Sequence, residues 1–229
     1  QPAGTADMLG QVEHGLLSIV GGYKSMGRFY RGIIEPTLRQ YTILGDAANI
    51  TDNKFYDGTD APDDRWVFTE NNPGRALQVA AALAAAHRVM KGYNDTLAND
   101  CLSIARQVWG NTKEMNAGQR IELATELYLT TRDKEYADFL VSHGGDIARS
   151  ADRHGWVVGR VLPLLNDTGL TSTVTSAMRT LRDSIVAKGK RTPYGLPYQP
   201  NIWGAGWDIQ HFGARQYFLH QAFPEIVFR

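Results

Sequence analysis

NNPGRALQVAAALAAAHRVM, residues 71–90, decides the fold of this chain. Pro73 stands where a first-turn proline fits, directly behind an asparagine able to cap a helix. The run from Ala76 to Met90 consists almost wholly of strong helix formers, and its alanines allow neighbouring helices to approach closely. The same signal repeats outward from this helix. Toward the N-terminus, DMLGQVEHGLLSIV (7–20) puts Met8, Val12, Leu16 and Ile19 on one face. Gly21-Gly22 is expected to end that helix, as glycine commonly does just past a last turn. Toward the C-terminus, helices are predicted over 96–109, 118–130, 134–150, 156–165, 171–188 and 207–222. That makes about eight helices at the connection lengths of a compact all-α domain. Strand signals are weak, and GRFYRGII (27–34) is expected to form at most a short extended piece. Helix pairs recur every 35–45 residues or so, a rhythm that suits a toroid or solenoid of helical hairpins. The whole chain, 1–229, is read as a single all-α domain.

Composition excludes several functions. Lys plus Arg equals Asp plus Glu at 24 each, so there is no overall field to steer the chain toward nucleic acid or an anionic membrane. No apolar run approaches the roughly 20 residues that span a bilayer. Cys101 is the sole cysteine and falls within a helical stretch, where it reads as a small buried hydrophobe. Walker, GxSxG and HExxH patterns are absent. The six histidines are scattered, and Gly144-Gly145 reads as a helix stop rather than a phosphate cradle.

Two long loop-like stretches carry the candidate chemistry, as long irregular loops often do. One runs from Gly189 to Gly206 and leads into the last helix. Between Tyr194 and His211 it gathers two tyrosines, Trp203, Trp207, Gln199, Asn201, Asp208 and His211. Aromatic rings match the apolar C–H faces of sugars, and planar polar groups match their hydroxyls. Trp207 and His211 lie four residues apart and share a helix face. Trp109 and Trp156, within helical patterns, read as core. The second stretch, Ala47 to Asp64, continues into RWVFTE (65–70). There Asp60, Asp63, Asp64 and Glu70 crowd beside Arg65 and Trp66. Paired carboxylates divide acid and base roles in glycoside hydrolysis or bind calcium through oxygen; a solvated acidic loop fits the same residues. Tyr30 and Arg31 are further rim candidates.

Four segments in order resemble glycoside hydrolase family nine, the inverting cellulases built on an (α/α)6 barrel. They are the opening DMLGQVEHGLLSIVGGYKSMGRFYRGI, then RWVFTENNPGRALQVAAALAAAHRVMKGYND, then RIELATELYLTTRDKEYADFL, and finally IWGAGWDIQHFGARQYFL. The resemblance extends from about Asp7 to about Phe228. It implies an all-α barrel-like toroid of helical hairpins. It places Trp207 on the family's sugar-stacking tryptophan and His211 near a polar position facing substrate. Two departures are internal: Glu122 stands where many relatives carry tryptophan, and Arg132 replaces a turn glycine. The Asp-Ala-Gly-Asp motif that bears the family's base does not occur, nor does the glutamate acid that follows a His-His-Arg segment. The chain is therefore read as the central part of such a barrel, lacking both ends.

The resemblance implies a β-1,4-glucan hydrolase or a portion of one, with catalytic residues unassigned. The expected sugar contacts are Trp207, Trp203, His211 and Asp208, with Trp66, Arg65, Tyr30 and Arg31 as weaker candidates. No cofactor is required, and a structural calcium is allowed. The expected partner is a β-glucan or cello-oligosaccharide, not nucleic acid or membrane, with a further chain or segment completing the barrel. A secreted or periplasmic location follows from such a substrate. A non-catalytic carbohydrate-binding module and a helical-repeat interaction protein are the alternatives.

Overall fold

The computed structural model describes residues 5–34, 42–44, 65–68, 71–193, 195, 197 and 203–226. The chain falls into two compact units, Gln1–Thr112 and Lys113–Arg229.

In the first unit, α1 (Thr5–Met26) precedes three short strands, and then come α2 (Pro73–Met90) and α3 (Asp95–Asn111). The strands are β1 (Gly32–Ile34), β2 (Thr42–Leu44) and β3 (Arg65–Phe68), arranged antiparallel in the order β1-β3-β2. β1 is the extended piece foreseen in GRFYRGII; β3 had no comparable periodic signal. α2 starts as its sequence dictates, with Asn72 accepting a hydrogen bond from the Arg75 N–H at 3.0 Å. Asn94 does the same for α3, accepting from Leu97 N at 3.0 Å. α2 and α3 form a hairpin whose alanines permit close packing. Leu77, Ala80, Ala84 and Met90 are buried on α2, facing a core that also contains Ala98, Cys101 and Ala105 from α3. Trp109 is buried too, as its helical position predicts. His87 Nδ1 lies 3.0 Å from the Ala98 carbonyl, a satisfied helix histidine.

Gly21-Gly22 does not stop α1. The helix runs through both residues to Met26, and Gly27, at φ 68°, follows the last turn. The reason for glycine at 22 is tertiary: a Cβ there would sit 2.2 Å from Tyr30 Cε1. The returning chain lays the Tyr30 ring directly on the helix backbone.

Helices are the only regular elements among the described residues of the second unit. α4 (Ala117–Thr131) is capped by Asn116 and ends at Arg132 in the left-handed conformation, φ 64°. That is the geometry a turn glycine suits, and here Arg132 adopts it. The stretch expected as one helix over 134–150 breaks at His143 into α5 (Lys134–Ser142) and α6 (Gly144–Arg149). In place of the helix expected over 156–165 stand α7 (Ala151–Gly159), which starts earlier than expected, and α8 (Leu162–Leu165), with Pro163 early in the latter. α9 (Thr168–Gly189) is capped by Asp167, and α10 (Ala205–Ala222) completes the unit. The core gathers Ile121, Leu127, Leu140, Ile147, Met178 and Leu219. No helix among the described residues is long and apolar enough to cross a membrane.

Candidate functional site

Four of the expected sugar-contacting residues gather where α10 begins. Gly204, at φ 123°, turns the chain into the helix. Trp203 is 91% exposed and Trp207 is 70% exposed. His211, one turn beyond Trp207, meets its ring edge-on with centroids 6.2 Å apart. Asp208 lies in the first helical turn, where the helix dipole favours a carboxylate. Leu219 is the only fully buried described side chain of α10. This end of the helix is therefore apolar ring surface held in water, with a carboxylate and an imidazole alongside. Such a surface gains by covering, and sugar faces are suited to cover it.

Tyr30 and Arg31 belong to a different place, a pocket of about 240 Å³ in the first unit. Its apolar wall includes Tyr23 and Phe29, with ring centroids 4.8 Å apart. Tyr30 is seated on Gly22, and its hydroxyl lies 2.8 Å from Ser18 Oγ. Asn71, Asn72 and Asn111 supply amides, while Arg28 and Arg75 join Arg31 in supplying cations. Arg65 and Trp66 open β3, where Trp66 is in register with Ile34 and Ile43; their side chains lie outside the described residues. So do Asp60, Asp63, Asp64 and Glu70, on which acid–base chemistry or calcium would rest, and Tyr194, Tyr198, Gln199 and Asn201. Among the described residues, no group of His, Cys, Asp and Glu could hold a metal ion.

A third cluster lies in the second unit. Glu126 is buried and pairs with Arg160, whose guanidinium lies 5.4 Å from the centroid of the Trp156 ring. Trp156 in turn meets Phe218 at 5.2 Å. Glu122 stands one turn before Glu126. Burial, and then the charge of Glu126, raise its carboxyl above the usual carboxylate range, against the pull of Arg160. Unequal carboxylates of this kind can divide acid and base roles. Here, however, Arg160 is committed to Glu126, and the contacts tie α4 to α7. We assign the cluster to packing.

Sequence reasoning did not single out Arg28, Arg75, Asn71, Asn72 or Asn111. Each read locally as solvated surface or cap, and only the meeting of the end of α1, the start of α2 and the end of α3 makes them neighbours. The one local signal was Arg75 in a first helical turn that carries no acid.

The family model "Glycosyl hydrolase family 9" matches residues 36–227. A search of curated protein sequences finds no match. The crystal structure of a metagenome-derived glycoside hydrolase family 9 endoglucanase is similar, with a TM-score of 0.65 at 18% identity. The similarity covers 95% of this chain and 43% of that one, so the chain spans less than half the length of that structure. At this identity the likeness speaks for the fold, an all-α, (α/α)6-barrel-like arrangement of helical hairpins. With most of its length matched by the family model, the chain belongs to glycosyl hydrolase family 9.

Proposed function

We propose that the chain is a β-1,4-glucan hydrolase, or a portion of one, that holds its substrate at the opening of α10. The observation that carries the reading is the pair Trp203 and Trp207, 91% and 70% exposed beside Asp208 and His211. Two indole faces in water at one helix start form a stacking platform for a glucan strand. Tyr30 and Arg31, with Arg65 and Trp66, serve as further contacts. Family membership supports the reaction type, single-displacement hydrolysis with inversion, in which an acid and a base stand on opposite sides of the scissile bond. Sugar stacking and hydrogen bonding need no cofactor. A calcium ion on the 60–70 loop would be structural, and a further segment or chain would complete the barrel. A polysaccharide substrate places the protein outside the cytoplasm, secreted or periplasmic.

A second reading is a carbohydrate-binding module that holds glucan without cutting it, since stacking on Trp203 and Trp207 needs neither acid nor base. Reducing-sugar release from carboxymethyl cellulose separates the two: release supports hydrolysis, and binding alone supports the module. Trp207→Ala tests the site common to both. It should weaken cello-oligosaccharide binding by about 1 kcal/mol or more in calorimetry. Unchanged affinity would remove Trp207 from the site.

A further inference from the structure

We propose that Gly204 is the positioning residue of the indole platform: its backbone, in a conformation open to glycine and strained for other L-residues, fixes where Trp203 stands relative to Trp207. The inference rests on reading Trp203 and Trp207 as the surface that holds a glucan strand, and it names the residue that aims one of the two rings.

α10 starts unlike its neighbours in sequence. α2, α3, α4 and α9 each open on an Asn or Asp whose side chain accepts a backbone N–H of the first turn, and these caps take φ between −140° and −53°. Negative φ with a side-chain acceptor is the ordinary way to begin a helix. Gly204 stands at the cap of α10 with φ 123° and ψ 24° and brings no side chain. The backbone start of α10 is intact, with the Asp208 N–H donating to the Gly204 carbonyl at 3.0 Å. An asparagine or serine would therefore begin this helix at least as well, and the glycine answers a different need. Residues that break a local rule concentrate at functional sites.

What the glycine changes is the chain before it. Against each of the four other caps, φ at Gly204 is turned by more than a quarter turn about the N–Cα bond. That rotation carries Trp203, the residue immediately ahead. Trp203 ends up 91% exposed beside a first helical turn that presents Trp207, 70% exposed. A strand that meets both rings at once gains from each. A Cβ at this φ crowds the backbone. Relieving the strain swings Trp203 off the platform and leaves Trp207, inside the helix, in place.

Calorimetry with cellotetraose on the 229-residue chain tests the proposal. Trp203→Ala and Gly204→Ala should each weaken binding about fivefold, and the double variant should bind no worse than either alone. Gly206→Ala, where a Cβ meets nothing within 4 Å among the described residues, should bind as the wild type does. D-alanine placed at 204 by semisynthesis carries the same methyl group but takes positive φ readily, and should also keep wild-type affinity. A loss with D-alanine equal to that of Gly204→Ala overturns the proposal, because the methyl group and not the φ would be at work. An equal further loss when Gly204→Ala is added to Trp203→Ala overturns it too, as does unfolding of Gly204→Ala by circular dichroism, since the glycine would then serve the helix start. Loss in Trp203→Ala without loss in Gly204→Ala overturns this inference alone. Wild-type affinity in Trp203→Ala, or no binding by the wild type, removes the platform reading and this inference with it.

Discussion

Gly21 and Gly22 are adjacent in α1, yet the same substitution should shift stability in opposite directions. A methyl group at Gly21 meets nothing within 4 Å. Gly21→Ala therefore removes only the entropic penalty of helical glycine and should stabilise by about 0.5–1 kcal/mol. A methyl group at Gly22 would lie 2.2 Å from Cε1 and 2.7 Å from Cδ1 of Tyr30. Carbon atoms settle at about 3.5–4.0 Å, so the ring must withdraw by roughly 1.5 Å. That movement breaks the 2.8 Å contact between Tyr30 and Ser18. Overpacking of this kind loses about 1–3 kcal/mol, and the lost hydrogen bond adds about 0.5–1 kcal/mol. The helix-propensity gain offsets about 1 kcal/mol of this, leaving a net loss of about 0.5–3 kcal/mol. Urea unfolding followed by far-UV circular dichroism reads the difference as a shift in midpoint at constant slope. If Gly22→Ala is as stabilising as Gly21→Ala, Tyr30 is not seated on α1 and the reasoning fails. Combining Gly22→Ala with Tyr30→Ala supplies the control. Without the ring, the added methyl should stabilise as it does at Gly21, and the coupling measures the contact. Because Tyr30 also walls the pocket, Gly22→Ala should weaken ligand binding there.

Three other outcomes follow from single residues. His154 is buried, and its Nδ1 has no hydrogen-bond partner. Burial and then Arg153 lower its affinity for a proton, against Asp152 and a backbone contact at Gly118. The folded state therefore resists protonation. Stability should fall as pH drops below the ordinary histidine value of 6.5, by up to about 1.4 kcal/mol per pH unit, until the folded-state value is reached. His154→Gln should flatten this stretch of the stability–pH curve, and an identical slope in the variant would reject the assignment. At the left-handed end of α4, Arg132→Gly should equal or exceed the wild type. Arg132→Val should lose about 1 kcal/mol or more in the same urea assay, because a β-branched residue fits positive φ poorly; a more stable valine variant would contradict this. Cys101 is fully buried, and burial pushes its thiol up to about 11. It should resist a thiol reagent in native buffer and react at the rate of unfolding in urea; rapid native labelling would show that α3 opens locally.

The sequence by itself determined the helices and most of their ends. Alanine-rich composition, Asn72, Asn94 and Asp167 as caps, and the 3.6-residue spacing of α1 act within one or two turns, and they act in the chain as they would in a peptide. Trp203, Trp207, Asp208 and His211 were legible together for the same reason, since one helix start brings neighbours in sequence together in space. Local signals failed where a distant residue decided. Gly21-Gly22 reads as a stop until Tyr30 is found lying against Gly22. The 134–150 and 156–165 stretches carry continuous helical composition, yet each gives way to two helices. Of the pocket, only Tyr30 and Arg31 were legible, because Arg28, Arg75 and the three asparagines come from segments that no spacing rule connects. Only tertiary packing, driven by burial of the α1, α2 and α3 faces, brings them to one wall.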